Sequence, residues 1–195
     1  FKKFISVEED LRFKTLFKTL YYCGLRSGEL RGLTWNDVNL ESKELSVNKN
    51  ITVNLDGRKY IVTTPKTKSS YRTIPMPDVL VGDLIKLREM QNNYYDFNNK
   101  WYVFGSYEPL VKSALRDRKN KDCKLAGVKQ IRIHDFRHSC ASLLINNGAN
   151  ITMVARYLGH AKIDETLNTY SHMFKNKLDD IVGTINRLNN KLNNK

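Results

Sequence analysis

One stretch of this sequence breaks the pattern of everything around it. Residues 44–55, ELSVNKNITVNL, and residues 58–64, RKYIVTT, are rich in β-branched and aromatic side chains and are joined at Asp56-Gly57. An Asp-Gly pair between two β-rich runs is a strong hairpin signal, because both central residues of the tight turn need positive φ. A third strand is expected at YRTIPM, after the polar turn PKTKSS. On both sides of this insert the apolar residues recur at helical spacing. The fold class that follows is mixed α+β: a mainly helical domain with one small antiparallel sheet inserted early.

Before the insert, Val7, Leu11, Leu16, Leu20 and Tyr21 mark a helix, with Ser6 and Glu9 spaced as a capping box and Gly24 as its stop. RSGELRGL reads as a short second helix. After the insert, residues 77–92 are helical, and WYVFG is a short apolar strand or turn. HDFRHSCASLLINNG, NITMVARYLGH and DETLNTYSH follow as three further helices. A last polar helix starts near Lys175. Its thin stripe of Leu178, Ile181, Val182, Ile185, Leu188 and Leu192 suits either packing on its own domain or docking on another protomer. Repeats are absent, and no linker rich in Pro, Gly or Ser divides the chain, so residues 1–195 read as a single domain. The start, FKKFISVEED, lacks an initiator methionine and enters a helix almost at once, which suggests a piece of a longer protein.

A formal charge of +13, from 33 Lys and Arg against 20 Asp and Glu, points to a polyanionic partner, nucleic acid before an anionic membrane surface. The bland alternative is a basic solvated surface. At 41% hydrophobic the chain can bury a core, which argues against wholesale disorder. Cys23, Cys123 and Cys140 are odd in number and lack CxxC spacing, as expected of reduced thiols in a cytoplasmic protein. There is neither an apolar run long enough to span a membrane nor a signal peptide.

The residues that carry chemistry are scattered. In HDFRH, His134 and Arg137 are three apart and share a helix face. His134 and His138 also match the histidine spacing of the HExxH zinc motif, but Asp135 is shorter than the required Glu and Arg137 would sit uncompensated beside a dication. Arg26 opens a helix with Glu29 three residues on, where an acid can hold the guanidinium fork. Two such arginines, with His134 and His160, would grip the non-bridging oxygens of a phosphate as its charge rises. Lys66, on a β-turn, could reach a leaving oxygen, with Lys68 its close competitor. Tyr170 stands among Thr169, Ser171 and His172 rather than in apolar company.

GLRSGEL, PKTKSSYRTIP, HDFRHSCASLL, LGH and TLNTYSHM, in this order, resemble the catalytic domain of tyrosine recombinases over nearly the whole chain, and the long hairpin is more like phage and conjugative-transposon integrases than Xer resolvases. The resemblance implies that Arg26, His134, Arg137 and His160 bind the scissile phosphate, that Lys66 protonates the leaving 5′-oxygen, and that Tyr170 is the nucleophile. Nearby cations would favour its phenolate, and a neutral imidazole could take its proton. No metal or other cofactor is implied. The partners implied are double-stranded DNA, further copies in a tetramer on DNA (a monomer without it), and an accessory directionality protein. A DNA-clamping domain is expected ahead of Phe1. In that family the nucleophile segment is often mobile, and the polar run HAKIDETLNTYSHM is compatible with a loosely held Tyr170. DNA phosphate contacts are expected from Lys112, Arg116, Arg118, Lys119, Lys121 and Arg132, with Lys68 and Arg72 as further candidates. Tyr157, Trp35 and Trp101 are expected in the core, and Tyr71 as a strand residue. Two rivals stay open: a type IB topoisomerase, and an inactive DNA-binding relative.

Overall fold

A computed structural model describes residues 1–53, 60–64, 68–171 and 178–193. The helices are α1 (Lys2–Ser6), α2 (Leu11–Cys23), α3 (Ser27–Gly32), α4 (Asp78–Asn92), α5 (Lys112–Leu125), α6 (Asp135–Asn146), α7 (Ile151–Leu158), α8 (Ile163–Tyr170) and α9 (Leu178–Asn193). The strands are β1 (Val38–Asn39), β2 (Glu44–Val47), β3 (Asn50–Val53), β4 (Tyr60–Thr63) and β5 (Arg72–Pro75). The core is built on α2, whose Leu16, Phe17 and Leu20 are fully buried, with α4 and α6 packed against it. Trp35 and Trp101 are buried, and Trp35 Nε1–H donates to Gln91 Oε1 at 2.6 Å.

Two expectations about local structure are corrected. The first long helix is not started by Ser6 and Glu9. Asp10 caps it, accepting from the backbone N–H groups of Arg12 and Phe13, while Ser6 closes the extra helix α1 by donating to Lys3 O. Among the described residues, the β insert makes two sheets rather than one. β3 and β4 pair antiparallel, Ile51 opposite Val62, and the turn expected at Asp56-Gly57 lies outside the described residues. β5 instead pairs with β2, Leu45 opposite Ile74, in a three-stranded sheet of order β1-β2-β5. Burial decides the choice. Leu45, Val47 and Ile74 are core residues, whereas Ile61 and Val62 of β4 are exposed.

Two glycines let the helical and β parts meet. Gly24 ends α2 in the left-handed conformation, φ 60°, and a side chain there would strike Leu158. Gly28, on α3, lies so close to β3 that a Cβ would sit 2.0 Å from Asn50 Oδ1 and 2.8 Å from Ile51 O. The chain therefore turns sharply out of α2 and seats the start of α3, with Arg26, against the insert.

Candidate active site

Arg26 is the N-cap residue of α3. Its backbone N–H donates to Glu29 Oε2 (2.8 Å), its Nη1 to Glu29 Oε1 (2.9 Å) and its Nη2 to Gly159 O (3.4 Å). The acid expected to fix this fork does so, and it also holds a second one. Arg72, from β5, donates from Nη2 and Nη1 to the two Glu29 oxygens (3.0 and 3.2 Å) and from Nε to Tyr157 O (2.9 Å). The reading of Arg72 as a DNA contact is thereby corrected. Its side chain is 6% exposed, and its donors are turned inward. Burial opposes ionisation of Glu29, but Arg72 and then Arg26 outweigh it and hold the carboxyl below its ordinary value.

Glu29→Gln leaves the buried Arg72 without its counter-charge. Removing one partner of such a pair costs about 3–5 kcal/mol, which denaturant unfolding at pH 7 would register. A loss under about 1 kcal/mol would mean that the pair is no better than an exposed one. Because the native carboxyl is depressed, this stability is present above the unfolded glutamate value. It is lost as pH falls through the native one.

Arg137, in the first turn of α6, is 2% exposed. Its Nη1 donates to Gly24 O at 2.7 Å, whereas its buried Nη2 has no partner among the described residues. Burial, then the charges of Arg26 and Arg72, lower its pKa. Among the described residues, the guanidiniums of Arg26, Arg72 and Arg137 thus lie close together with the Glu29 carboxylate near them, an arrangement that an anion would complete. His134, the N-cap residue of α6, reaches the same cluster. Burial, then His138, Arg137, Arg26 and Arg132, lower its pKa. His160 follows the left-handed cap Gly159, and its Nδ1 lies 2.6 Å from Thr166 Oγ1. Burial, then Arg137, Arg26, Arg72 and His134, bring it down to about 4. Both shifts favour the neutral ring, which carries one N–H to donate.

Tyr170 ends α8 and is 4% exposed, packed with Cys140, Ala141, Ile145, Val154 and Leu158. The polar neighbours in sequence suggested a loosely held side chain; the ring is instead built into an apolar cluster. Its hydroxyl lies 2.7 Å from His138 Nδ1. Burial raises the phenol pKa, and Arg137 only partly offsets it, so the expected bias toward phenolate is reversed in this state. His138 was missed as a partner for the nucleophile candidate. Its sequence signal, four residues after His134, spoke only of zinc spacing, and a contact between α6 and α8 has no local signature. Lys66 lies outside the described residues; Lys68 begins a short 3-10 turn with its side chain outside them.

The basic segment divides in two. Arg118 donates from Nε and Nη2 to the buried Glu8, and Lys119 is buried, donating to Ile131 O and Asn120 Oδ1. These two serve the fold and are corrected as DNA contacts. Lys112, Lys121, Lys124 and Lys129 are exposed, as are Arg116 and Arg132, which pair with Asp117 and Asp135. Beside Arg118, Asp122 is buried within hydrogen-bonding reach of Glu8. Burial and then the Glu8 carboxyl push Asp122 well above the carboxylate range.

An acid with a raised native pKa stabilises below its unfolded value, about 3.9, and that contribution is lost as pH rises through the native value. Asp122→Asn cannot ionise, and its amide can still donate to Glu8. The variant should gain thermal midpoint relative to the unsubstituted chain as pH rises from 5 to 8. A difference independent of pH would contradict the raised value of Asp122.

A helical domain with this β insert, paired arginines entering from α3 and α6, and a tyrosine closing α8 has the architecture of a tyrosine recombinase catalytic domain. Residues 2–177 match the phage integrase family, and the chain belongs to it. Relatives include the ICEBs1 integrase of Bacillus subtilis, 34% identical over 196 residues, covering 96% of this chain and 53% of the relative. Another is a XerC-like tyrosine recombinase of Caldanaerobacter subterraneus, 34% identical over 204 residues, covering 96% and 52%. Among solved structures, the Tn1549 transposon integrase in complex with transposon right end DNA superposes with a TM-score of 0.74 at 26% identity, covering 96% of this chain and 63% of that one. XerA recombinase, at 24% identity and TM-score 0.70, shares the fold. The chain spans about half the length of the curated relatives it matches.

Proposed function

We propose that this chain is the catalytic domain of a site-specific integrase that breaks and rejoins DNA to move a mobile element. The observation that carries the proposal is the buried Nη2 of Arg137, without a partner among the described residues, beside Arg26 and two histidines whose charged forms are disfavoured there. That set has the charge and the donors for a phosphodiester, and it lies within electrostatic range of a tyrosine hydroxyl. Tyr170 gives its phenol proton to a neutral imidazole and attacks the scissile phosphorus, forming a 3′-phosphotyrosyl ester and expelling the 5′-oxygen, to which Lys66 gives a proton. A 5′-hydroxyl from a partner strand reverses the step. The ester conserves the energy of the broken bond, so the cycle needs no ATP, and the arginines neutralise the charge that metal ions carry in many other phosphoryl-transfer enzymes.

The exposed Lys112, Lys121, Lys124 and Lys129, with Arg116 and Arg132, position the duplex through phosphate contacts. The names of the relatives, integrases of mobile elements and a recombinase solved on transposon-end DNA, support that substrate. The chain works in the cytoplasm of a bacterial cell or phage-infected host, as a monomer that assembles into a tetramer on attachment-site DNA, with an accessory protein setting direction. Val182 and Ile185 of α9 are 57% and 59% exposed, which leaves part of the tail stripe open to a neighbouring protomer.

A strand-exchange assay tests the function. The full-length protein, given two duplexes carrying its attachment sites in EDTA, should yield recombinant joints. Relaxation of supercoils without exchange would indicate a topoisomerase, and binding without cleavage an inactive relative.

A further inference from the structure

A threonine inside a helix commonly turns its hydroxyl back to the carbonyl four residues earlier, as Thr15, Thr19 and Thr169 do here at 2.7, 2.8 and 2.7 Å. Thr166, on α8, is fully buried, and its hydroxyl instead meets Nδ1 of His160 at 2.6 Å, across the turn that joins α7 to α8. A single hydrogen lies between those two atoms, and which of them carries it decides what His160 can do. A neutral imidazole has one N–H. If that proton sits on Nδ1 and is given to Thr166, then Nε2 presents a lone pair, which repels a phosphate oxygen. If Thr166 O–H donates to Nδ1, the ring proton is forced onto Nε2, and Nε2–H is free to donate to an anion. Protonating both nitrogens is no way around the choice, because burial and then the charges of Arg137, Arg26, Arg72 and His134 disfavour it.

We propose that Thr166 is a positioning residue that donates to His160 Nδ1 and so holds His160 as an Nε2–H donor toward the scissile phosphate. Thr166 and Tyr170 are four apart on α8, one turn, and both are on its buried face. Seating that face therefore does two things at once: it places the phenol and sets the tautomer of the histidine. The backbone N–H of His160 donates to Ala155 O at 3.0 Å, which fixes the ring's attachment point and leaves the ring orientation to Thr166. The inference rests on the phosphate-binding role proposed for His160, but the tautomer itself can be read without DNA.

The test is a long-range nitrogen–proton correlation spectrum of the histidine rings in this chain at pH 7, with His160 assigned from the spectrum lost in His160→Gln. The unsubstituted chain should show His160 protonated on Nε2 and bare on Nδ1. Thr166→Val, close in shape but without a donor, should give a mixture of tautomers or an Nδ1–H form, and Thr166→Ser should restore the original pattern. An Nδ1–H ring in the unsubstituted chain overturns the proposal without recourse to any variant, as does a tautomer unmoved by Thr166→Val. In the full-length protein, DNA cleavage by Thr166→Val should fall roughly 10-fold or more, the scale seen when the outer partner of a ligating histidine is lost, and recover in Thr166→Ser. Equal cleavage by Thr166→Val also overturns it. Absence of cleavage by the unsubstituted protein, with the Nε2–H tautomer present, would count against the recombinase reading and leave the hydrogen-bond assignment standing.

Discussion

Tyr170→Phe in the full-length protein binds DNA as the unsubstituted protein does and forms no covalent adduct with it: this is the largest effect expected of any single substitution. The phenylalanine ring fills the same pocket among Cys140, Ala141, Ile145, Val154 and Leu158, so the packing survives. What goes is one hydroxyl and its contact with His138, worth about 0.5–1.5 kcal/mol of stability. Catalysis loses the atom that makes the bond, and no conformational adjustment can replace it. Gel retardation and a denaturing gel of the same samples check both halves. A denaturation-resistant adduct persisting in the variant would move the nucleophile elsewhere.

The second large effect has opposite signs in stability and activity. Arg137→Met removes a buried charge whose Nη2 has no partner among the described residues, and replaces it with an apolar chain of similar length. Burying a charge that is poorly paired is costly, and its exchange for a hydrophobe relieves that cost. The thermal midpoint should therefore hold or rise. Cleavage should fall by about 10²–10³, as when a preorganised donor to a developing oxyanion is deleted. A variant both less stable and fully active would show that the guanidinium serves packing alone. The combination expected is that of a functional site retained against the preference of the fold.

Much of this was legible in short stretches. Gly24 as a helix stop, the acid three residues after Arg26, and the helices around Arg137, His160 and Tyr170 are all local signals, and local signals survive folding. The β insert was legible as β, but its pairing was not. β5 chose β2 over β4 because Leu45 and Ile74 needed burial together, a matter for the tertiary core rather than for turn chemistry. The charged residues misled in a consistent way. Arg72, Arg118 and Lys119 look like any basic surface residues in sequence, yet each is satisfied inside the fold: Arg72 by Glu29 and Arg118 by Glu8, both distant in sequence, and Lys119 by Ile131 and Asn120. The contacts of His138 with Tyr170 and of Thr166 with His160 depend on how α6, α7 and α8 pack, and no spacing rule announces them.

The central claim is that the hydroxyl of Tyr170 becomes the covalent link to DNA. The most direct measurement traps the full-length protein on a substrate nicked beside the cleavage site, in EDTA, then digests the adduct with trypsin and nuclease and sequences the modified peptide by mass spectrometry. The account predicts a nucleotide joined through its 3′-phosphate to the peptide of residues 163–175, in which Tyr170 is the one tyrosine. A nucleotide on any other side chain, or cleavage with no protein-linked intermediate, would contradict it.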